Sequence, residues 1–417
     1  MSNPTPSAVA SSLKTIVVCF DYGHVNGGAA KVAISGALGL AARGYRVIYF
    51  APVGPMDERL EAAGIETICL DQQDLASASS PLRGALRGIW NVDAARRLTS
   101  LLGGLDAKSS VIYQHGWSKA MSPSCQRAIA KSGIPSLYYM HEYFAACPNG
   151  AFFDYPAGKN CERAPMSLAC FTRNCDARAL HHKAFRVARH GALNSFGKFD
   201  EALRHINYIS ELQLRFMRPW LPDDVEPQYA PNPIDVADNG PAPIADDAPF
   251  LFVGRFSRKK GASLAAEAAA RLDAPIQFVG DGELMNALKA AAPAAEFIGW
   301  VTPERAMELM RHARVLVFPS LWYECQPLTV LEALANGVPV IVSDNCAGAE
   351  YVADGETGLH VPSQNGDALA TAMARLMDNG NARVLGKSAY DRYWQAPHTL
   401  DRHFDVVEHA LKIAITS

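Results

Sequence analysis

The chain of 417 residues lacks the features of membrane-spanning and extracellular proteins. None of its apolar runs approaches the roughly 20 residues that a membrane-spanning helix needs. Nine cysteines are an odd and sparse number for this length, which fits a reducing cytosol better than a disulfide scaffold. Residues 1–14 lack the basic and apolar segments of a signal peptide and predict a loose tail. We therefore expect a cytoplasmic protein, and we exclude a secreted mini-protein, a membrane channel and a fibrous repeat.

The chain also lacks an excess of either charge. It has 39 Lys and Arg against 42 Asp and Glu, a formal net charge of −3, so nothing in its overall charge indicates a nucleic-acid partner. Hydrophobic residues make up 49% and charged residues 19% of the chain, which excludes a disordered protein. The length predicts about two to three domains.

Strand-like apolar runs alternate with helix-like stretches in two separate series. The first series has runs at 15–20, 46–51, 110–114 and 136–140, and the second has runs at 249–253, 275–279, 296–298, 315–318 and 340–343. Such alternation predicts parallel sheets that are covered by helices. The expected fold class is α/β, with two Rossmann-like, doubly wound domains that face each other across a cleft.

Composition sets the expected domain boundaries. After the tail, we predict an acceptor-side domain over 15–230 and a nucleotide-binding domain over 231–395, because 231–249 is rich in Pro and Asp and has the composition of a linker. A helix-like segment over 400–413, within 396–417, is predicted to pack back across the domains. A small-residue helix over 29–43 should end at Gly44 as its C′ residue.

Basic residues follow the first strand of the second series. Arg255 stands directly after that strand, and Lys260 precedes the next helix. Ligands of open parallel sheets bind at the carboxyl ends of the strands, and two fixed cations there suit a diphosphate. An ordinary solvated basic loop is the alternative.

A carboxylate pair follows the strand 315–318. Glu324 lies in the loop, and a helix is expected from Pro327, as its N1 residue, to Asn336. This places Glu332 roughly 7 Å further along the helix axis. Helix amides can meet an anion and the carboxylates can accept hydrogen bonds from hydroxyls, whereas an ordinary exposed pair is the alternative.

A glycine pair after the strand 275–279 carries less information. Gly280 and Gly282 form half of a dinucleotide fingerprint, because Met285 stands where a third glycine is expected. An NAD site is therefore poorly supported.

Taken together, these loops resemble retaining glycosyltransferase family 4 of the GT-B fold. Residues 315–362 carry the likeness most clearly, with Glu324 and Glu332 matching the E-x7-E motif. Arg255 and Lys260-Gly261 match the phosphate-binding loop of that family. The opening glycine loop with Lys31, and the segments 208–211 and 231–235, resemble further landmarks in the same order.

The resemblance implies a role for each motif. Arg255 and Lys260 would hold the donor diphosphate, Glu332 the ribose, and Glu324 the donor sugar. His141, at the end of the strand 136–140, would lie near the reacting centre, with His115 a weaker candidate; a structural strand-end histidine is the alternative for both. The remaining donor contacts would come from backbone near Gly27, Gly28, Trp300, Val301, Cys325, Gln326, Pro327 and Leu328.

No metal or other cofactor is expected, since the sequence contains no Asp-x-Asp and Arg, Lys and helix dipoles can replace an ion at the diphosphate. Four cysteines between the halves of the first domain have gaps that differ from paired zinc knuckles. Free thiols are favoured over a structural metal, which stays open; these residues are Cys147, Cys161, Cys170 and Cys175.

Residues 171–220 contain nine Lys or Arg and four Asp or Glu. This stretch suits either anionic lipid headgroups and a polyprenyl diphosphate acceptor or an ordinary solvated basic face. Peripheral contact with the inner membrane is a hypothesis from this pattern.

The expected function is transfer of a hexose, with retention, from a GDP- or UDP-sugar to a lipid-linked or polysaccharide acceptor in bacterial exopolysaccharide or cell-surface glycan synthesis. The alternatives are a non-catalytic sugar-nucleotide-binding scaffold, a sugar-nucleotide epimerase, or a phosphorylase-like enzyme of the same two-domain architecture.

Overall fold

A computed structural model describes residues 12–75, 77–78 and 80–416. Most of the predicted tail, residues 1–11, lies outside the described residues. Within the described chain, two parallel sheets and a short antiparallel hairpin form. The expected α/β architecture of two doubly wound domains is confirmed.

The first sheet has the strand order β3-β2-β1-β4-β5-β8-β9, with parallel pairing throughout. Its strands are β1 Thr15–Cys19, β2 Arg46–Ala51, β3 Glu66–Cys69, β4 Ser110–Gln114, β5 Ser136–Tyr139, β8 His205–Tyr208 and β9 Glu226–Tyr229. The helices of this half are α1 Gly28–Ala42, α2 Glu58–Ala62, α3 Pro81–Ile89, α4 Val92–Leu102, α5 Ser122–Ser132, α6 Leu168–Thr172, α7 Leu180–Phe196, α8 Phe199–Ala202 and α9 Glu211–Met217.

The second sheet has the order β12-β11-β10-β13-β14-β15 and is also parallel. Its strands are β10 Phe250–Val253, β11 Ile276–Val279, β12 Glu296–Gly299, β13 Val315–Phe318, β14 Val340–Ser343 and β15 Gly358–Val361. The helices are α10 Ala262–Leu272, α11 Met285–Ala291, α12 Pro303–Arg311, α13 Leu328–Ala335, α14 Gly348–Tyr351, α15 Gly366–Leu376 and α16 Asn379–Gln395.

The central strands are buried on both faces, which explains their unbroken apolar sequences. β1, β4, β13 and β14 are buried at every residue. Each helix that follows covers one face of its sheet, and α1 ends as predicted, with Gly44 at a φ of 89°. The strand ends therefore bring their loops to one edge of each sheet.

The helix after β13 corrects one expectation. It covers Leu328–Ala335, with Pro327 as its N-cap in extended conformation and not as N1. Asn336 is the C-cap and Gly337 follows with a φ of 71°. Proline fixes φ without requiring helical ψ, so Pro327 can stand just outside the helix.

The cysteine-rich segment forms a hairpin and a short helix. β6 Phe153–Asp154 pairs antiparallel with β7 Lys159–Asn160, and α6 follows. Phe153 and Ala151 of this segment pack on Leu321 of the second half, with Tyr155 and Trp322 beside them. The segment therefore reaches across to the loop after β13.

The two halves are joined twice. Segment 230–249 contains no helix or strand, and the last helix, α17 Leu400–Thr416, returns to pack against α1, β4, β5 and β8. Ile234 N donates to His398 O at 2.9 Å, and His403 Nδ1 lies 2.9 Å from Pro231 O. The two crossings thus run side by side.

Direct contacts also join the halves near the cleft. Tyr143 Oη donates to Tyr323 O at 2.8 Å, and the Tyr323 ring stacks on Phe216 at 3.9 Å. The Glu350 carboxylate accepts from Leu212 N at 2.6 Å and from Glu211 N at 3.1 Å at the start of α9. This carboxylate of one half therefore caps a helix of the other.

The charge of the basic stretch 171–220 is partly internal. Lys183 and Arg189 are buried, and Arg186 pairs with Asp176 at 3.0 Å. The surface charge of this stretch is therefore smaller than the sequence count suggests. No helix in the described ranges is both long and apolar enough to cross a membrane.

Candidate active site

The loop after β10 is held by close backbone contacts. Gly261 has a φ of 71°, and a Cβ at this position would collide with the carbonyl oxygen of Pro319. Glycine is therefore required there by both conformation and space. Phe256 N donates to Asp281 O at 2.9 Å, which ties this loop to the loop after β11. Arg255 remains exposed at the strand end.

Lys260 and Glu324, both predicted as site residues, lie on neighbouring loops and contact each other. Lys260 Nζ forms an ion pair with Glu324 Oε1, and the side chains are only 21% and 13% exposed. Trp322 Nε1 donates to Glu324 Oε2 at 3.2 Å, with Ser320 Oγ 3.4 Å from the same oxygen. Both groups are thus held at the carboxyl ends of β10 and β13.

Lys259 is a further cation of this loop that sequence reasoning missed. Its Nζ lies 4.0 Å from the centroid of the Trp322 ring and 5.9 Å from that of Tyr155, distances at which a cation interacts with an aromatic face. Burial and, to a smaller extent, the neighbouring Lys260 together lower the pKa of Lys259 to about 8. The doubled lysine in the sequence was the available signal.

Glu332 lies inside α13 and faces the first half of the chain. Burial raises its pKa, while the Lys31 ammonium on α1 acts in the opposite direction. Lys31 also lowers the pKa of Glu304, in the first turn of α12, although hydrogen bonds of Glu304 and Thr302 contribute more. The Lys31 ammonium therefore acts electrostatically on two carboxylates of the opposite domain.

The space beside the opening glycine loop is empty. A Cβ on Gly27 or on Gly28 would meet nothing within 4 Å. Gly28 and Lys31 line a cavity of about 350 Å³ together with Leu328 at the start of α13. The absence of packing around the two glycines leaves room for a ligand between the domains.

The predicted base-reading segment is open to solvent. Trp300 is 85% exposed, and Val301 is half-buried beside it. An indole this exposed leaves its ring faces accessible to a flat ligand.

His141 and His115 form a pair at the ends of β5 and β4. His115 Nδ1 lies 2.8 Å from His141 Nε2, and the rings stack with their centroids 5.1 Å apart. Burial lowers the pKa of His141 to about 3 and that of His115 well below its usual value, which favours neutral rings joined by one hydrogen bond. His115 is fully buried, whereas His141 is partly buried, and the strand-end alternative stays open for both.

Glu142, next to His141, is a second group that sequence reasoning missed. Burial, supported by the Asp21 carboxylate, raises its pKa to about 7, although Lys119, Arg189 and Lys259 act in the opposite direction. No side-chain hydrogen bond to Glu142 occurs in the described part of the chain. A carboxyl group with a raised pKa therefore lies beside His141, which the resemblance predicts to be near the reacting centre.

The backbone from Cys325 to Leu328 leads into α13. Cys325 is buried, with its pKa raised to about 12 by burial. Gln326 Oε1 accepts from Asn232 N at 2.7 Å, which ties this turn to the predicted interdomain landmark at 231–235. The turn is thus fixed from both halves of the chain.

The cysteines of the described chain are all free thiols. Nowhere in the described ranges do three His, Cys, Asp or Glu side chains gather in an arrangement suited to a metal ion.

Residues 248–379 match the family described as "Glycosyl transferases group 1". The matched segment, and not the whole chain, is therefore similar to a glycosyltransferase group 1 domain. The chain is 31% identical over 190 residues to a phosphatidyl-myo-inositol mannosyltransferase of Mycolicibacterium smegmatis, covering 42% of this chain and 49% of that protein. It is 35% identical over 154 residues to the D-rhamnosyltransferase WbpZ of Pseudomonas aeruginosa, covering 35% and 40%. The chain thus matches about half, or less, of the length of these curated relatives.

Solved structures share the architecture over the whole length. Sucrose-phosphate synthase of Thermosynechococcus elongatus superposes with a TM-score of 0.66 at 20% identity, covering 97% of this chain and 99% of that one. Anabaena HepE in complex with UDP-glucose gives a TM-score of 0.63 at 15% identity, covering 96% and 99%. The glycosyltransferase domain therefore forms one half of a GT-B fold, and the resemblance stated from the sequence is confirmed.

Proposed function

We propose that the protein is a retaining glycosyltransferase that moves a hexose from a GDP- or UDP-sugar to a lipid-linked or polysaccharide acceptor in bacterial surface-glycan synthesis. The oriented Lys260–Glu324 pair at the mouth of α13 carries this proposal. It joins a diphosphate-binding cation to a carboxylate that can hold sugar hydroxyls. The glycosyltransferase domain and the sugar-transferring relatives support the same chemistry.

The donor would lie between the loops after β10 and β13. Arg255 and Lys260 would bind the diphosphate, with Lys259 beside them, and Glu332 would accept hydrogen bonds from the ribose hydroxyls. Trp300 would stack on the base, and Val301 would lie beside it. Three cations supply the charge that a metal ion supplies at other diphosphate sites, so this reaction requires no metal.

In the proposed reaction the acceptor hydroxyl attacks the anomeric carbon from the face that the diphosphate leaves. The bond from the anomeric carbon to the phosphate oxygen breaks, the bond to the acceptor oxygen forms, and the hydroxyl proton passes to the departing phosphate. Glu324 and His141 orient the sugar, while Arg255 and Lys260 stabilise the charge that develops on the leaving group. Contact between the two domains excludes water from the activated sugar.

A lipid-linked acceptor would place the first domain at a membrane surface. On α3, Leu82 is 70% and Leu86 is 60% exposed, one turn apart and beside the exposed Arg83. Exposed leucines with a neighbouring cation suit an anionic lipid surface. Flotation with anionic liposomes tests this contact, and we expect Leu82→Ser/Leu86→Ser to reduce it; recovery of the unmodified protein in the soluble fraction alone would contradict it.

The test of donor binding is thermal unfolding against a panel of UDP- and GDP-sugars. A ligand that binds only the folded state stabilises it by about 2.7 kcal/mol at one hundred times its dissociation constant. We expect one nucleotide family to raise Tm in the parent protein and not in Arg255→Ala. Arg271→Ala, which removes an exposed arginine of α10, is the matched control and should keep the shift.

Turnover then separates an enzyme from a binding scaffold. We expect release of nucleoside diphosphate with a bacterial lipid extract, unchanged by a metal chelator, and NMR of the product should show the anomeric configuration of the donor. Donor binding without transfer to any lipid or glycan acceptor would favour the scaffold. An inverted product would contradict retention.

A further inference from the structure

Lys183 is a buried lysine whose acceptors are two sulfur atoms. It is 2% exposed, and its Nζ lies 3.2 Å from Cys170 Sγ and 3.5 Å from Cys175 Sγ. No carboxylate in the described ranges pairs with it, because the neighbouring Asp176 is engaged by Arg186 at 3.0 Å. The two sulfurs can be no farther apart than these two distances combined.

The position of this ammonium favours negative charge on its partners. Lys183 lies in the first turn of α7, where the helix dipole disfavours a cation, and burial of an unpaired charge costs several kcal/mol. A thiolate compensates the ammonium better than a thiol does. Burial raises the pKa of Cys175, and Lys183 acts in the opposite direction. The cation thus increases the share of thiolate that the buried site would otherwise hold.

We propose that Cys170 and Cys175 form an oxidant-sensitive dithiol whose reactive thiolate is held by Lys183. Hydrogen peroxide is the oxidant. One thiolate attacks a peroxide oxygen, which gives a sulfenic acid and, after protonation, one water. The second sulfur attacks the sulfenic sulfur and displaces a second water. Two thiols are thereby oxidised to one disulfide, and one peroxide is reduced to two waters.

The dithiol is coupled to the hairpin that contacts the glycosyltransferase domain. Cys175 O accepts from Asn149 Nδ2 at 3.1 Å and from Tyr155 N at 3.3 Å. Tyr155 and Phe153 belong to the apolar cluster with Leu321. A disulfide removes both acceptors from Lys183 and leaves its charge uncompensated, so the hairpin loosens. An effect on donor binding would rest on the proposed function, whereas the disulfide itself does not.

Trypsin cleavage makes the crosslink directly visible. Cleavage after Arg163, Arg173 and Arg178 separates the two cysteines into the peptides 164–173 and 174–178. The folded full-length protein is treated with peroxide, alkylated and digested. Mass spectrometry should then show the two peptides linked, with a mass lower by two hydrogens than the sum of the two thiol peptides. The linked pair should disappear on reduction. Amide exchange in residues 149–160 should become faster in the oxidised protein.

Matched variants test each part of the proposal. Cys161→Ser, a neighbouring thiol without a lysine contact, should leave the linked pair unchanged, and Lys183→Met should slow its formation by about tenfold, the effect of one pKa unit on a thiolate fraction. If Lys183→Met does not fold, Cys170→Ser provides the test, because dimedone should then trap Cys175 as a sulfenic acid. The proposal would be overturned if the linked pair forms in Lys183→Met at the same rate as in the parent protein. A covalent bridge through Lys183 that blocks tryptic cleavage after that residue would also contradict it, as would a bound metal that shields the cysteines.

Discussion

Lys260 Nζ and Glu324 Oε1 form an ion pair between two loops that are 64 residues apart in the chain. The pair joins the carboxyl ends of β10 and β13, and Trp322 fixes the other carboxylate oxygen. A diphosphate that enters this site competes with Glu324 for the Lys260 ammonium. Under the proposed function, we expect a bound diphosphate to weaken this ion pair and to leave Glu324 available to accept hydrogen bonds from the sugar.

Lys260→Met should remove one stabilising group from the leaving diphosphate. We expect kcat to fall about 10²- to 10³-fold, as is typical when one preorganised donor to developing charge is lost. The measurement is steady-state transfer from the nucleotide sugar identified by thermal unfolding. Lys387→Met, which breaks an exposed pair with Asp391 on α16, should leave kcat unchanged, and equal losses in both variants would contradict the assigned role.

Lys259 should make donor affinity depend on pH. Because its pKa is lowered to about 8, the ammonium loses its proton as pH rises through that value, and affinity should then fall by up to about tenfold per pH unit. Lys259→Gln should bind more weakly at pH 7 and show a flatter profile, as measured by calorimetric titration from pH 7 to 9. Lys289→Gln, on α11, is the control; a profile in Lys259→Gln as steep as that of the parent protein would assign the dependence to another group.

Glu142 should destabilise the folded protein at neutral pH. Its pKa is raised from 4.5 to about 7, so the folded state binds the proton more tightly and stability falls as pH rises between those values. The free energy of unfolding of Glu142→Gln should equal that of the parent protein at pH 4.5 and exceed it by about 2 kcal/mol above pH 7. This difference is smaller than the full pKa shift would give, because the side chain is only half-buried and solvent screens its charge. Urea unfolding at several pH values measures the difference, and Glu267→Gln, exposed on α10, should show none at any pH.

Glu350→Ala should weaken the attachment of the two domains. The variant leaves two amide groups at the start of α9 without their carboxylate acceptor, and losses of this kind cost about 1 kcal/mol. Glu350→Gln keeps one acceptor oxygen and should lose less. Thermal unfolding of the full chain measures both variants; an unchanged Tm in Glu350→Ala would show that solvent replaces the cap.

The strands that the sequence predicted are those with unbroken apolar runs. β1, β2, β4, β10 and β13 lie at or near the centres of their sheets, where burial on both faces demands such runs. Most of the strands that were missed contain more polar residues, and β9 at one edge contains Pro227, which an edge position tolerates. Four-residue strands such as β8 and β15 take their conformation from pairing with neighbours.

The candidate site divides in a similar way. Arg255, Lys260, Glu324 and Glu332 were predicted because their spacing relative to strand ends is fixed along the chain. The contact of Lys259 with Trp322 and Tyr155 was not, since Tyr155 comes from a hairpin of the other domain. The His115–His141 pair and the Glu350 cap likewise depend on the packing of distant segments.

The side-by-side crossings at Pro231–His403 and Ile234–His398 have a mechanical consequence. Both covalent connections between the domains lie next to each other. This arrangement suits a hinge, about which we expect the cleft on the opposite side to open while the two connections stay in place. A protease that cuts the segment 231–249 would sever only one connection. The nicked halves would remain associated through α17, which is anchored in the first domain and continuous with the second.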